Sequence, residues 1–264
     1  MDKILRNELI EVFPWVNSKM DIHNLDDIFQ TVKAAPGPYG DMTPRHLKGI
    51  GRPEVAEKKD AIFIKIAKAI KNCLESHYST QEEYDAWHKE TCISLASELE
   101  SICSKGVIVK PGKAQKLINM SMKHIFCFDN AEEVSLNGAF EFCHMPIDKY
   151  VLSWYYREVH GLGFLNDDDV RLNWGKHDYE DYIKIQQSIR SFLSDKTRNQ
   201  DYLDNNGNTL TPFEAEFYIW NEEKLIRAAH FFTKELSYEH SRRWMKSGTL
   251  KKQLTSIQQI INNN

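Results

Sequence analysis

No stretch of the 264 residues approaches the roughly 18 consecutive apolar residues of a membrane span, so no crossing helix is expected. The opening residues, MDKILRNELIEVF, are amphipathic and acidic. They offer neither an apolar signal segment nor a small-residue cleavage site, so a cytoplasmic location is expected. The five cysteines (Cys73, Cys92, Cys103, Cys127 and Cys143) include no C-x-x-C pair. Reduced thiols fit that pattern better than a disulfide framework. Cys143-His144 is the one Cys-His neighbour pair, and it lacks partners at zinc-finger spacing. No Walker A loop and no dinucleotide fingerprint is present. Asp167-Asp168-Asp169 has no second group of acids to complete a cation cage, and reads as a solvated loop or a helix cap. His230 and His240 lie in helical patterns, and no Cys or Ser is identifiable as a nucleophile working with either. No metal and no cofactor is expected.

Charge of one sign is not in excess either. The formal net charge of −4 leaves no global basic footprint for nucleic acid. Lysines and arginines do gather locally: Lys58, Lys59, Lys65, Lys68 and Lys71; Lys105, Lys110, Lys113, Lys116 and Lys123; Arg242, Arg243, Lys246, Lys251 and Lys252. Each group alone reads as the solvated face of a helix. Strand signals are poor: Val107-Ile108-Val109 is short, and Asn206-Gly207 sits in a polar loop rather than between alternating runs.

What is present is a large apolar fraction, 41%, and helical periodicity. Residues 58–74 place Ile62, Ile66, Ala69 and Ile70 on one stripe with lysines opposite. Residues 81–103 form a second amphipathic run, opened by Ser79 or Thr80 as N-cap and closed at Gly106. Further helices are predicted over 113–128, 149–160, 179–193, 212–236 (Thr211 as N-cap, Pro212 at the first turn) and 249–261. Pro36-Gly37-Pro38-Tyr39-Gly40 is a breaker-rich hinge. The pattern predicts an all-α fold, one globular unit over 1–264.

Two stretches carry chemistry. Leu47-Lys48-Gly49-Ile50-Gly51 has the form of a helix-hairpin-helix turn, in which glycines let backbone N–H groups approach a phosphate; an ordinary loop remains the heavier alternative. The stretch KPGKAQKLINMSMKHIFCFDNAEEVSLNGAFEFCHMPIDKY, residues 110–150, sets Lys116 in the first turns of an apolar helix and Asp148 at a Pro-Ile-Asp corner. The positive end of the helix dipole and neighbouring Lys113 disfavour a second positive charge there, and if the site is also partly buried a neutral, nucleophilic amine is expected near neutral pH. Asp148 suits the cap of the next helix, a role compatible with catalysis.

The order Gly-x-Lys-Ala-x-x-x-x-Asn followed by Pro-Ile-Asp-x-x-Val resembles the helix-hairpin-helix DNA glycosylase superfamily, over about 45 residues (106–150). Lys116 and Asp148 are 32 residues apart, longer than in the endonuclease III-like members and similar to the archaeal 8-oxoguanine DNA glycosylases. The absence of a four-cysteine motif excludes the branch that carries an iron–sulfur cluster. Pro111 occupies the turn where the hairpin glycines belong, and Lys113 aligns almost as well as Lys116; Lys116 is preferred because one turn inward a side chain can face a pocket.

The resemblance implies a monomer with a two-lobed helical fold around a central cleft, the lobes falling at about 40–150 and at 1–39 with 151–264. It also implies a glycosylase with apurinic/apyrimidinic lyase activity on an oxidised purine in double-stranded DNA, with the damaged base flipped out, at the nucleoid if the source is bacterial. Lys116 would be the nucleophile and Asp148 its ionised assistant. Gly112, Lys110 and Lys113 would contact the DNA. Phe142, His144, Trp154, Glu216 and Trp220 would line the base pocket, with Glu216 and Trp220 four apart on one helical face. Two alternatives stand beside it: an altered member of the same fold that binds nucleic acid without excising a base, and a non-enzymatic all-α interaction protein.

Overall fold

The computed structural model describes residues 3–12, 21–34, 47–135, 137–199, 201–204 and 206–233, with 3, 4, 12 and 228–233 as backbone only. The Pro36–Gly40 hinge, the closing helix at 249–261, the third basic cluster and His240 lie outside the described residues. The described chain is predominantly helical: α1 (Lys3–Val12), α2 (Leu25–Ala34), α3 (Ala56–Glu75), α4 (Gln81–Ile102), α5 (Pro111–Phe126), α6 (Ala131–Val134), α7 (Lys149–Trp154), α8 (Tyr179–Ser194) and α9 (Pro212–Thr233). Short 3₁₀ turns fill the connections, and among the described residues the one β contact is an isolated antiparallel bridge between Leu203 and Thr209. None of these helices is long and apolar enough to cross a membrane.

Local chemistry sets the helix ends. Thr80 caps α4 by accepting the Glu83 amide at 3.3 Å. At α9, Thr211 accepts the Glu214 amide at 3.2 Å and the Glu214 carboxylate accepts the Thr211 amide at 2.9 Å, a reciprocal capping box with Pro212 at the first helical position. Helix α5 starts at Pro111, two residues before the expected Lys113, because proline lacks the amide that a first turn leaves unbonded and its φ is already helical. The helix expected over 149–160 changes character midway. It is α-helical to Trp154, then winds as a π-turn over Tyr155–Val159 and ends before Gly161 at φ 65°.

Helix α5 is the axis of the molecule. It packs against α2, α3, α4, α8 and the 3₁₀ turn Trp174–Lys176, and 13 of its residues, from Gly112 to Phe126, are buried. A helix covered on every side buries its polar residues too, and Gln115, Lys116, Asn119, Ser121 and Lys123 each need an internal partner. Helix α2 packs on α3 and α5, and α1 on α9.

Two glycines serve close packing where the sequence suggested phosphate contact. Gly49 (φ 98°) lies against the end of α4: the Lys48 carbonyl accepts the Ser104 amide at 2.7 Å, and a Cβ on Gly49 would sit 2.7 Å from that nitrogen. The Gly112 amide is donated to the His177 carbonyl at 3.0 Å, and a Cβ there would lie 2.3 Å from the Trp174 carbonyl oxygen. The Gly112 amide is thus engaged in a helix–loop contact with the 174–177 turn. Gly112→Ala is expected to destabilise the fold by about 1–3 kcal/mol through overpacking, seen as a lower urea midpoint. An unchanged midpoint would show that the 174–177 turn yields freely.

Candidate active site

Three elements converge on one buried cluster. Helix α5 supplies Lys116 and, two turns on along the same face, Lys123. The N-terminus of α7 supplies Asp148, and α9 supplies Glu216 and Trp220. The Lys116 Nζ lies 2.8 Å from Asp148 Oδ2, with side-chain exposures of 2% and 5%. The same carboxylate oxygen accepts the indole N–H of Trp220 at 3.0 Å. Asp148 Oδ1 caps α7, accepting the amides of Tyr150 at 2.8 Å and Val151 at 3.1 Å. The two oxygens thus divide the two roles: one holds the helix, the other meets the amine. The Tyr150 ring stands edge-on to Trp220 with centroids 5.5 Å apart, and the Trp174 ring lies 5.2 Å from the Lys116 Nζ.

A second ion pair, equally buried, joins Lys123 to Glu216, with the Lys123 Nζ 4.1 Å from the centre of the Phe217 ring. Two ammonium groups and two carboxylates therefore share one dry region with no net charge, an arrangement in which each desolvated charge is retained only through its partner.

Burial pushes the Asp148 carboxyl upward, but the Lys116 charge and the hydrogen bonds from Lys116, Val151 and Trp220 outweigh it, holding Asp148 below the usual carboxylate range. Glu216 goes the other way: burial raises it, Lys123 opposes, and the neighbouring Asp148 charge adds to the rise. An aspartate depressed in the folded state stabilises the protein above its unfolded value of about 3.9 and loses that contribution as pH falls through the folded-state pKa. The stability difference between wild type and Asp148→Asn, measured by urea unfolding, is expected to hold from about pH 7 to about pH 5 and to narrow below about pH 4. A gap independent of pH down to acid unfolding would contradict a charged, paired Asp148.

The other sequence-derived candidates lie elsewhere or act differently. Lys113 is half-buried and folds back to donate to the Ile108 carbonyl at 3.1 Å; burial lowers its pKa. Lys110 is exposed at the N-cap of α5. Three members expected in the base pocket sit in other neighbourhoods. Phe142 packs near Tyr78, 6.1 Å between centroids, and its carbonyl accepts the Gln81 amide. His144 is sealed between Asp85, at 2.6 Å, and Tyr182, at 2.8 Å. Trp154 is fully buried against Phe192 and Tyr202, to whose hydroxyl it donates at 3.0 Å. All three follow the ordinary course of aromatic and imidazole groups, which is to fill the core and satisfy their polar atoms there.

Lys123 and Trp174 escaped the sequence reading. Lys123 had a usable signal, since it stands seven residues after Lys116 and so on the same helical face. Trp174 had none, because it reaches Lys116 from a non-periodic connection. Among the described residues no group of three or more His, Cys, Asp or Glu could hold a metal ion. Compared with protein-family models, curated proteins and solved structures, the chain matches none.

Proposed function

We propose that the chain is a DNA base-excision glycosylase with lyase activity, acting on an oxidised purine of the 8-oxoguanine kind. The observation that carries the reading is the buried contact between Lys116 and Asp148, two residues far apart in sequence, completed by the Trp220 indole. A lysine amine held against a carboxylate in a region closed to water has the parts for covalent attack on a sugar carbon.

In the proposed reaction the flipped nucleotide enters over Trp220 and Trp174. Lys116 first releases its ammonium proton to solvent as the nucleotide enters. The neutral amine then attacks C1′, the glycosidic bond breaks, and its electron pair leaves with the base, which takes up the proton shed by the new carbon–nitrogen bond. Asp148, ionised, balances the positive charge that develops on the sugar and keeps the amine aimed. Loss of the ring oxygen from C1′ gives an imine, and removal of a C2′ proton then expels the 3′-phosphate. Glu216 and Lys123, ion-paired beside Lys116 and Asp148, would supply an acceptor and a donor to a base edge that parts them, and Trp220 would offer a stacking face worth roughly 1–3 kcal/mol. Lys116 is 1% exposed, so the nucleotide gains access only by displacing the side chains that cover the amine.

Borohydride trapping tests the reading. A duplex carrying 8-oxoguanine is expected to give a covalent protein–DNA adduct, and the same duplex with guanine none. Equal trapping of both, or of neither, would remove the base-excision reading.

A further inference from the structure

The six residues before α7, 143–148, are all buried and adopt neither helix nor strand. Buried backbone without a ladder has to find its hydrogen bonds among side chains. Two glutamines provide them, and each grips one residue by both its amide and its carbonyl. Gln186, from α8, accepts the Met145 N–H at 3.2 Å and donates to the Met145 carbonyl at 2.6 Å. Gln115, from α5, accepts the Ile147 N–H at 3.3 Å and donates to the Ile147 carbonyl at 2.8 Å. Each carboxamide thus imitates the edge of a β-strand.

Gln115 has no hydrogen-bonding capacity to spare. Its second N–H goes to the Gly112 carbonyl at 3.0 Å, and its oxygen also accepts from Asn119 at 2.9 Å. Asn119 and Gln186 both donate to the Tyr182 hydroxyl, at 2.9 and 3.1 Å. With both lone pairs engaged, Tyr182 gives its proton to Nδ1 of His144, which fixes the neutral tautomer whose Nε2–H faces Asp85. The clamp is therefore part of one satisfied network spanning α4, α5 and α8. Its last link, Gln115, adjoins Lys116 in sequence and holds the residue that adjoins Asp148.

We infer that Gln115 is a positioning residue for the Lys116–Asp148 pair, with Gln186 as its support: by bonding both backbone groups of Ile147 it fixes where Asp148 stands relative to the α5 turn that carries the amine. For its kinetic consequence this rests on the base-excision reading; for its structural consequence it does not. A misplacement of about 1 Å in such a pair costs about 100-fold in rate.

The test uses Gln115→Leu, which keeps the volume and deletes every hydrogen bond, and Ser121→Ala as a control. Ser121 is buried on the same helix and bonds only to the Leu117 carbonyl at 2.8 Å. Both variants are compared with wild type at matched folded fraction. Gln115→Leu is expected to lower the single-turnover rate of adduct formation about 100-fold while the Kd for the duplex changes less than about threefold, with Ser121→Ala at the wild-type rate. In free protein, the Asp148 carboxyl, followed by carbon NMR across pH, is expected to titrate higher in Gln115→Leu than in wild type and unchanged in Ser121→Ala. An unchanged Asp148 titration in Gln115→Leu would overturn the inference, as would an unchanged rate in an active wild type, or equal rate losses in both variants. If wild type forms no adduct, base excision fails and the carboxyl titration alone decides the positioning role.

Discussion

Lys116→Gln is expected to abolish borohydride-trapped adduct, while Lys113→Gln keeps trapping at saturating duplex. The two lysines lie one helical turn apart, and the sequence alone separates them poorly. Their surroundings separate them fully. The Lys116 amine is buried and meets a carboxylate at 2.8 Å, whereas the Lys113 amine is bonded to a backbone carbonyl at the helix start. A nucleophile that forms the covalent bond has no substitute once removed, and the losses in such cases reach several orders of magnitude. Denaturing gel analysis of the trapped complex reads the difference directly. Trapping retained by Lys116→Gln, or lost in Lys113→Gln at saturating duplex, would move the chemistry to another residue.

The second large effect concerns stability. Removing one partner of a buried ion pair leaves an uncompensated charge and costs about 3–5 kcal/mol, more than the pair itself contributes. Lys116→Met and Asp148→Asn are each expected to lower stability by amounts in that range, with the aspartate change the more costly. When Lys116 is removed, Asp148 keeps the Trp220 indole and the Tyr150 and Val151 amides. When Asp148 becomes asparagine, the α7 cap survives, since asparagine caps as well as aspartate, but the ammonium loses its anionic partner. The double variant is expected to recover about 2–3 kcal/mol relative to the sum of the single changes. Urea unfolding at pH 7 measures all four proteins, and additive losses would show that the contact carries no coupling.

The helices were readable because their signals are local. The stripe of Ile62, Ile66 and Ile70, the Thr211-Pro212 opening of α9 and the capping aspartate of α7 each depend on neighbours within a turn or two. The juxtaposition of Lys116 with Asp148 was suggested through likeness to a motif, since no periodicity reports on a contact between residues 32 apart. The pocket assignment fared differently. Glu216 and Trp220, spaced to share a helical face, both reach the buried cluster, Glu216 at Lys123 and Trp220 at Asp148. Phe142, His144 and Trp154 were chosen for residue type, and type does not distinguish a base-stacking ring from a core-filling one. The second ion pair and the Trp174 face depend on how α5 is enclosed, which only tertiary packing determines.

The most direct test of the central claim is to map the covalent bond. After borohydride trapping on an 8-oxoguanine duplex, nuclease and protease digestion followed by tandem mass spectrometry is expected to place the reduced sugar remnant on the amine of Lys116. A remnant on Lys113, on Lys123 or on the N-terminal amine would contradict the account, as would a complete absence of adduct from folded protein.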